Sequence, residues 1–203
     1  MDNLFTPLAT LFIPLDLDLS NRDLTTLPSH LESIAEMVVT LDLHTNFLRT
    51  LPPWIGKFTR LRRLNVGNNR LSSLPPEIGN LRNLEELFLD YNYLTTLPST
   101  IGHLGKLSVM RIDYNRLTAL PSTIGHLISL RSLLIDNNRL SLLEDELGEL
   151  SQLENLFIAD NPLTAISPRI SELPTLKILG ISHDQLPLVK NGRDHYSSVI
   201  VKR

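Results

Sequence analysis

The phrase Leu-x-x-Leu-x-Leu-x-x-Asn-x-Leu returns along this chain every 23 residues, and it restricts the possible fold more tightly than any other property of the sequence. It is written Leu61-x-x-Leu64-x-Val66-x-x-Asn69-x-Leu71 and again Leu84-x-x-Leu87-x-Leu89-x-x-Asn92-x-Leu94. Further copies run from Leu107 to Asn115, Leu130 to Asn138, Leu153 to Asn161 and Leu176 to Asp184, and an earlier one from Val38 to Asn46. A first, irregular copy starts near Leu15. Its Leu17 and Leu19 align with Leu41 and Leu43 at a spacing of 24, which puts Arg22 at the asparagine position. The alternation Leu-x-Leu makes a short strand with one face inward, and the leucines that follow must bring the chain back over the same core within about a dozen residues. One such coil cannot bury its leucines alone, so neighbours stack and share a continuous core. A chain of 203 residues could form two ordinary domains, but the repeat argues for one elongated unit.

Between strands recurs a second phrase, Leu-Pro-x-x-Ile-Gly-x-Leu, at Leu74 to Leu81, Leu97 to Leu104 and Leu120 to Leu127. On these motifs residues 15–186 resemble the leucine-rich-repeat family. The connector is similar to that of the 23-residue intracellular class found in Ras-associated scaffold proteins and their plant relatives. The resemblance implies an α/β solenoid of eight repeats: a right-handed horseshoe with a parallel concave sheet and irregular or 3-10 convex connectors. Strands about 4.8 Å apart would make it roughly 35 to 40 Å long. Pro75, Pro98 and Pro121 suit an irregular connector, because proline fixes its own torsion and lacks an N–H.

The asparagines at 46, 69, 92, 115, 138 and 161 form a ladder. An inward amide offers two donors and an acceptor to backbone groups that would otherwise be buried unpaired at the bend after each strand. Their expected role is structural, and losing one should cost about 1 to 3 kcal/mol. Residues 1–14 are expected to form an N-terminal cap, since the apolar opening lacks a cationic start and is interrupted by Pro7 and Pro14. Residues 187–203 are expected to be a C-terminal cap or tail. Two alternatives stand there, a hairpin around Asn191-Gly192 or a disordered end.

Composition removes several function classes. Lys plus Arg number 19 against 22 Asp plus Glu, a formal charge of -3, so the basic footprint that nucleic acid requires is missing. No apolar run approaches the ~18 residues of a membrane span. There is no cysteine and no Asn-x-Ser/Thr acceptor, which points to a reducing, cytoplasmic setting. No Gly-x-Ser-x-Gly elbow and no Gly-rich phosphate loop appear, so neither catalysis nor a cofactor is expected.

Function in such a stack sits in the residues that the repeat does not dictate. Side chains alternate along a strand, so the middle of Leu-x-Leu points outward: Asp18, Asp42, Asn65, Phe88, Arg111, Leu134, Phe157 and Gly180. The next outward position carries Ser20, His44, Gly67, Asp90, Asp113, Asp136, Ala159 and Ser182. Phe88, Leu134 and Phe157 have no core role there and are expected as exposed apolar points, joined at the edge by Tyr91, Tyr93 and Tyr114. Beside them Asp90, Asp113 and Asp136 make an acidic row. It either receives a partner's cations or is paired internally, with Arg111 the obvious neighbour. The expected contact set is therefore Phe88, Asp90, Tyr91, Arg111, Asp113, Tyr114, Leu134, Asp136 and Phe157. On the convex side His103, His126 and Glu149 fall in one column, a weak candidate for zinc, and Trp54 is expected to pack against the connectors.

The expectation is a non-catalytic module or scaffold that binds a protein on its concave face. The resemblance suggests small GTPases, phosphatases or kinases as partners, and an exposed apolar patch allows a homodimer. The alternatives are a substrate-recognition or regulatory domain of a larger signalling enzyme, such as a kinase, cyclase or ubiquitin ligase, and a bacterial virulence protein delivered to a host.

Overall fold

The structure, a computed structural model, describes residues 14–189 and 198–202. The cap expected over residues 1–14 lies almost wholly outside them. Each repeat contributes one strand where its Leu-x-Leu stands: β1 (Leu15–Asp18), β2 (Val38–Asp42), β3 (Arg63–Asn65), β4 (Glu86–Phe88), β5 (Val109–Arg111) and β6 (Ser132–Leu134). After the short β7 (Leu142–Leu143) come β8 (Asn155–Phe157), β9 (Ala165–Ile166), β10 (Ile178–Ser182) and β11 (Ser198–Lys202). The repeat strands pair in parallel, in chain order, and in the register set by the 23-residue spacing, with Leu64 beside Leu87 and Leu87 beside Met110. Only β1 and β2 shift register, between Leu15 and Asp16, where the spacing is 24.

The turn expected at Asn191-Gly192 lies outside the described residues. Ser198–Lys202 pairs in parallel with β10, Leu179 beside Val199, and so extends the sheet to nine strands among the described residues. Val199 and Val201 pack on the core, which removes the last coil's apolar face from water. Alternation Val-x-Val continues the inward period without any of the repeat's other markers.

The connectors are 3-10 turns with no α-helix among the described residues. Pro75, Pro98 and Pro121 stand immediately before three of them at φ -70, -66 and -68, the torsion a proline ring imposes. Glu144 and Ser167 stand at the equivalent positions, and at Ser167 the N–H that a proline would lack is used. The Ser167 N–H donates to the Leu143 carbonyl at 2.9 Å, and β7 and β9 become a second, two-stranded parallel sheet. The core is one continuous leucine column, with Leu41, Leu64, Leu87, Leu133 and Leu156 all fully buried.

The ladder asparagines hold the bends as expected. Asn92 Nδ2 donates to the carbonyls of Val66, Leu89 and Asp90 at 3.0, 3.1 and 3.3 Å, and its Oδ1 accepts from the Leu71 N–H at 2.9 Å. In the last repeat the register slips by one. Asp184, where the spacing puts the ladder residue, is exposed, and Gln185 turns inward instead, with its Nε2 donating to the Ile158 and Asn161 carbonyls. From one position later the longer amide still reaches the Ile158 carbonyl, the acceptor that the ladder spacing assigns to the preceding coil, while its Oε1 accepts from the Ser182 N–H at 3.0 Å.

Candidate partner-binding face

The parallel pairing lines up the outward residues across the concave face. Phe88 stands beside Arg111, Arg111 beside Leu134, Leu134 beside Phe157, and Phe157 beside Gly180. The apolar line is thus broken at Arg111, and its members are half-buried rather than exposed. Phe88 belongs to a separate group. The Arg63 guanidinium lies 4.5 Å from its ring centroid, and Arg63 also bonds to Glu86 on the next strand.

Leu134 and Phe157 instead shape a depression of about 370 Å³ with Ala159, Gly180, Ile181 and Ile200. Arg111, Asp113, Tyr114 and Asp136 complete its wall. Gly180 is needed here, because a Cβ at that position would stand 2.3 Å from Phe157 Cδ1. The Phe157 ring therefore occupies the space that a side chain at Gly180 would take. Gly180 stands in the outward column of the sequence, but only the packed ring shows why it lacks a side chain. Ile200 comes from the added strand, which carries no repeat signature, so nothing in the repeat pointed to it.

The aspartate row is paired internally. Arg111 reaches Asp113 at 3.4 Å and Asp90 at 4.0 Å, so one guanidinium bridges two carboxylates. Asp136 Oδ1 accepts from the Ala159 N–H at 2.7 Å. Burial pushes the Asp90 carboxyl above the usual carboxylate range, and the nearby Asp113 charge adds to this, against the pull of Arg111. Burial works against charge on Arg111, yet the Asp113 hydrogen bond and both carboxylate charges outweigh it and raise its affinity for the proton. At the other end of the face, Ser20 hydrogen bonds hold Asp18 below its ordinary value. Outward Asp16, Asp18, Asp42, Glu86, Asp90, Asp113 and Asp136 outnumber Arg63 and Arg111, so the face keeps an acidic excess despite its internal pairs.

At the rim, Tyr91, Tyr93 and Tyr114 are 50%, 45% and 40% exposed, and Tyr91 stacks on Tyr114 with ring centroids 4.2 Å apart. On the convex side Trp54 stacks on the buried Phe58 with centroids 6.1 Å apart. His103, His126 and Glu149 do not converge, and no group among the described residues is arranged to hold a metal ion. No helix among those residues is long and apolar enough to cross a membrane.

A stack of parallel strands, 3-10 connectors and an inward asparagine ladder defines a leucine-rich-repeat solenoid. The family model for the leucine-rich repeat matches residues 59–117. Among solved structures, a leucine-rich-repeat protein of Leptospira interrogans is 36% identical, with a TM-score of 0.78 over 81% of this chain and 42% of that one. The plant peptide hormone receptor RGFR1, in complex with RGF2, is 32% identical, with a TM-score of 0.68 over 77% of this chain and 26% of that one. The leucine-rich-repeat ectodomain of the Arabidopsis thaliana receptor kinase GASSHO1/SCHENGEN3, in complex with Casparian strip integrity factor 2, shares the fold at 24% identity. Its TM-score is 0.64 over 77% of this chain and 23% of that one. The chain therefore spans less than half the length of these structures. No curated protein sequence matches it. The chain is a leucine-rich-repeat protein, a fold typical of protein–protein interaction modules.

Proposed function

We propose that the concave face binds a protein partner, seating an apolar side chain in the depression over Leu134 and Phe157. The observation that carries this reading is the depression itself: apolar in its floor, opened by Gly180, and placed beside Asp113 and Asp136 on an acidic face. Such an arrangement suits a partner with an apolar anchor flanked by basic residues, the anchor supplying affinity and the charges orientation and association rate. Phe88, Asp90, Tyr91, Arg111 and Tyr114 extend the contact toward the middle of the stack. The resemblance to the Ras-associated class makes a cytoplasmic scaffold the reading and small GTPases, phosphatases and kinases the first partners to examine. The similar plant receptor is a peptide hormone receptor, which supports a polypeptide ligand for this kind of face.

The test is a pull-down followed by titration of the captured protein against wild type and a Phe88→Ala/Phe157→Ala variant. Both side chains lie outside the leucine column, so the fold should persist while affinity falls by about tenfold or more. Unchanged affinity in a folded double variant would sink the proposal. Sedimentation of the wild type alone comes first, because self-association through the same face would make the partner a second copy.

A further inference from the structure

The rim where each strand turns outward carries two rows that the repeat does not explain. Immediately before the ladder asparagines stand Asn68, Tyr91, Tyr114 and Asn137, all in the left-handed region with φ between 52 and 54. Asparagine tolerates that conformation, whereas a bulky tyrosine there is an outlier that stores strain. Immediately after the asparagines stand Phe47, Arg70, Tyr93, Arg116 and Arg139. Arg70 lies 4.5 Å over the Phe47 ring and Arg116 4.5 Å over the Tyr93 ring.

A guanidinium stacked on a ring keeps its in-plane N–H groups free and loses little further freedom on binding. On the strands and at the other edge, Arg62, Arg63, Arg111 and Arg131 each meet a carboxylate of the chain. Among the described residues no carboxylate lies within salt-bridge distance of Arg70, Arg116 or Arg139. The rim thus holds three exposed, unneutralised guanidiniums beside a strained tyrosine stack. Tyrosine and arginine are the side chains over-represented at the energetic centres of interfaces.

We propose that this rim docks an acidic segment of a partner protein, its carboxylates received by Arg70, Arg116 and Arg139 and its backbone laid across Tyr91 and Tyr114. Arg116 and Arg139 belong to adjacent coils, about 5 Å apart, and Arg70 lies two coils from Arg116, about 10 Å away. An extended segment running along the stack meets all three. The acidic excess of the concave face beside the rim repels a broad polyanion, so the fit is to a short acidic stretch and not to nucleic acid. This surface adjoins the concave depression, sharing Tyr114 with its wall, and its arginines take the opposite charge.

The experiment uses the whole chain and a fluorescein-labelled dodecapeptide of alternating Glu and Ala, followed by anisotropy at low ionic strength. The expected result is saturable binding that falls about tenfold or more in Arg70→Gln/Arg116→Gln/Arg139→Gln and persists unchanged in Phe157→Ala. A second triple variant with lysine at the three positions keeps the charge but not the fork, and binding between the two extremes supports bidentate recognition. Absence of saturable binding, equal affinity in the glutamine variant, or loss of binding in Phe157→Ala would each overturn the proposal. The last outcome would place the peptide in the concave depression, while failure at the rim alone leaves the reading of that depression untouched.

Discussion

Tyr91 and Tyr114 stack almost face to face, their ring planes 7° apart, and each ring leaves the backbone from a residue at positive φ, 53 and 54 respectively. The fold requires the left-handed conformation at this position in every regular coil, as Asn68, Asn137 and Asp160 show. It does not require tyrosine there. A strained residue of this kind costs about 1 to 3 kcal/mol, and an aromatic pair returns about 0.5 to 1.5 kcal/mol. The variant Tyr91→Asn/Tyr114→Asn is therefore expected to be more stable than wild type, by about 1 kcal/mol in urea denaturation. A destabilised double variant would show that the stack outweighs the strain and would remove the argument that these tyrosines are kept for binding.

Arg111 is expected to matter for stability as well as contact. Asp113 is buried, and Arg111 is its only cationic partner among the described ion pairs. Arg111→Gln leaves that carboxylate without a counter-charge. Breaking a fully buried pair costs about 3 to 5 kcal/mol, but the Arg111 side chain is 40% exposed and water screens the interaction, so about 1 to 2 kcal/mol is expected. Asp113→Asn in the Arg111→Gln background should recover most of the loss. A double-mutant cycle with no coupling would show that the two groups do not act as a pair.

Asp90 sets a pH dependence of definite sign. Its carboxyl is raised in the folded chain, so the native state holds the proton more tightly than the unfolded state does. Stability attributable to this group is therefore highest below the unfolded value near 3.8 and falls as pH rises through the folded one. Asp90→Asn removes the penalty. The stability of the variant relative to wild type should increase as pH is raised from below 3.8 toward neutrality, followed by urea midpoints across that range. A relative stability that is flat, or that falls with pH, would contradict the raised carboxyl.

How far such features are legible in the sequence depends on their range. The strands, the leucine column and the asparagine ladder are repeated local patterns, so a spacing of 23 residues specifies them coil by coil. The end of the ladder escaped because Gln185 is one residue out of register, and a longer side chain compensates for a slip that spacing alone cannot show. The added strand β11 lacks the repeat's leucines, and its docking depends on the apolar face that the last coil leaves open. On the concave face the columns were legible, since alternation decides which residues face outward. Their state was not. Whether Phe157 is exposed depends on a glycine one coil away, and whether the aspartates are free depends on the reach of Arg111.

The connectors contain a constraint that a pair of glycines can test. The 3-10 turns stack closely, and a Cβ on Gly102 would stand 2.5 Å from the Thr123 carbonyl oxygen and 2.8 Å from its Cβ. Both neighbours belong to the next coil's turn, where Thr123 Oγ1 donates to the Ser99 carbonyl at 2.7 Å, so neither yields without opening the stack. No glycine among the described residues has a positive φ, and the cost of Gly102→Ala is therefore one of space and not of torsion. Overpacking of this kind costs about 1 to 3 kcal/mol. Gly105, three residues later, has nothing within 4 Å of its Cβ position. Gly105→Ala should be neutral or stabilise by up to about 1 kcal/mol through the unfolded state. Urea denaturation of the two variants should separate them by sign or by at least about 1 kcal/mol, and equal stabilities would mean that the turns are not in contact.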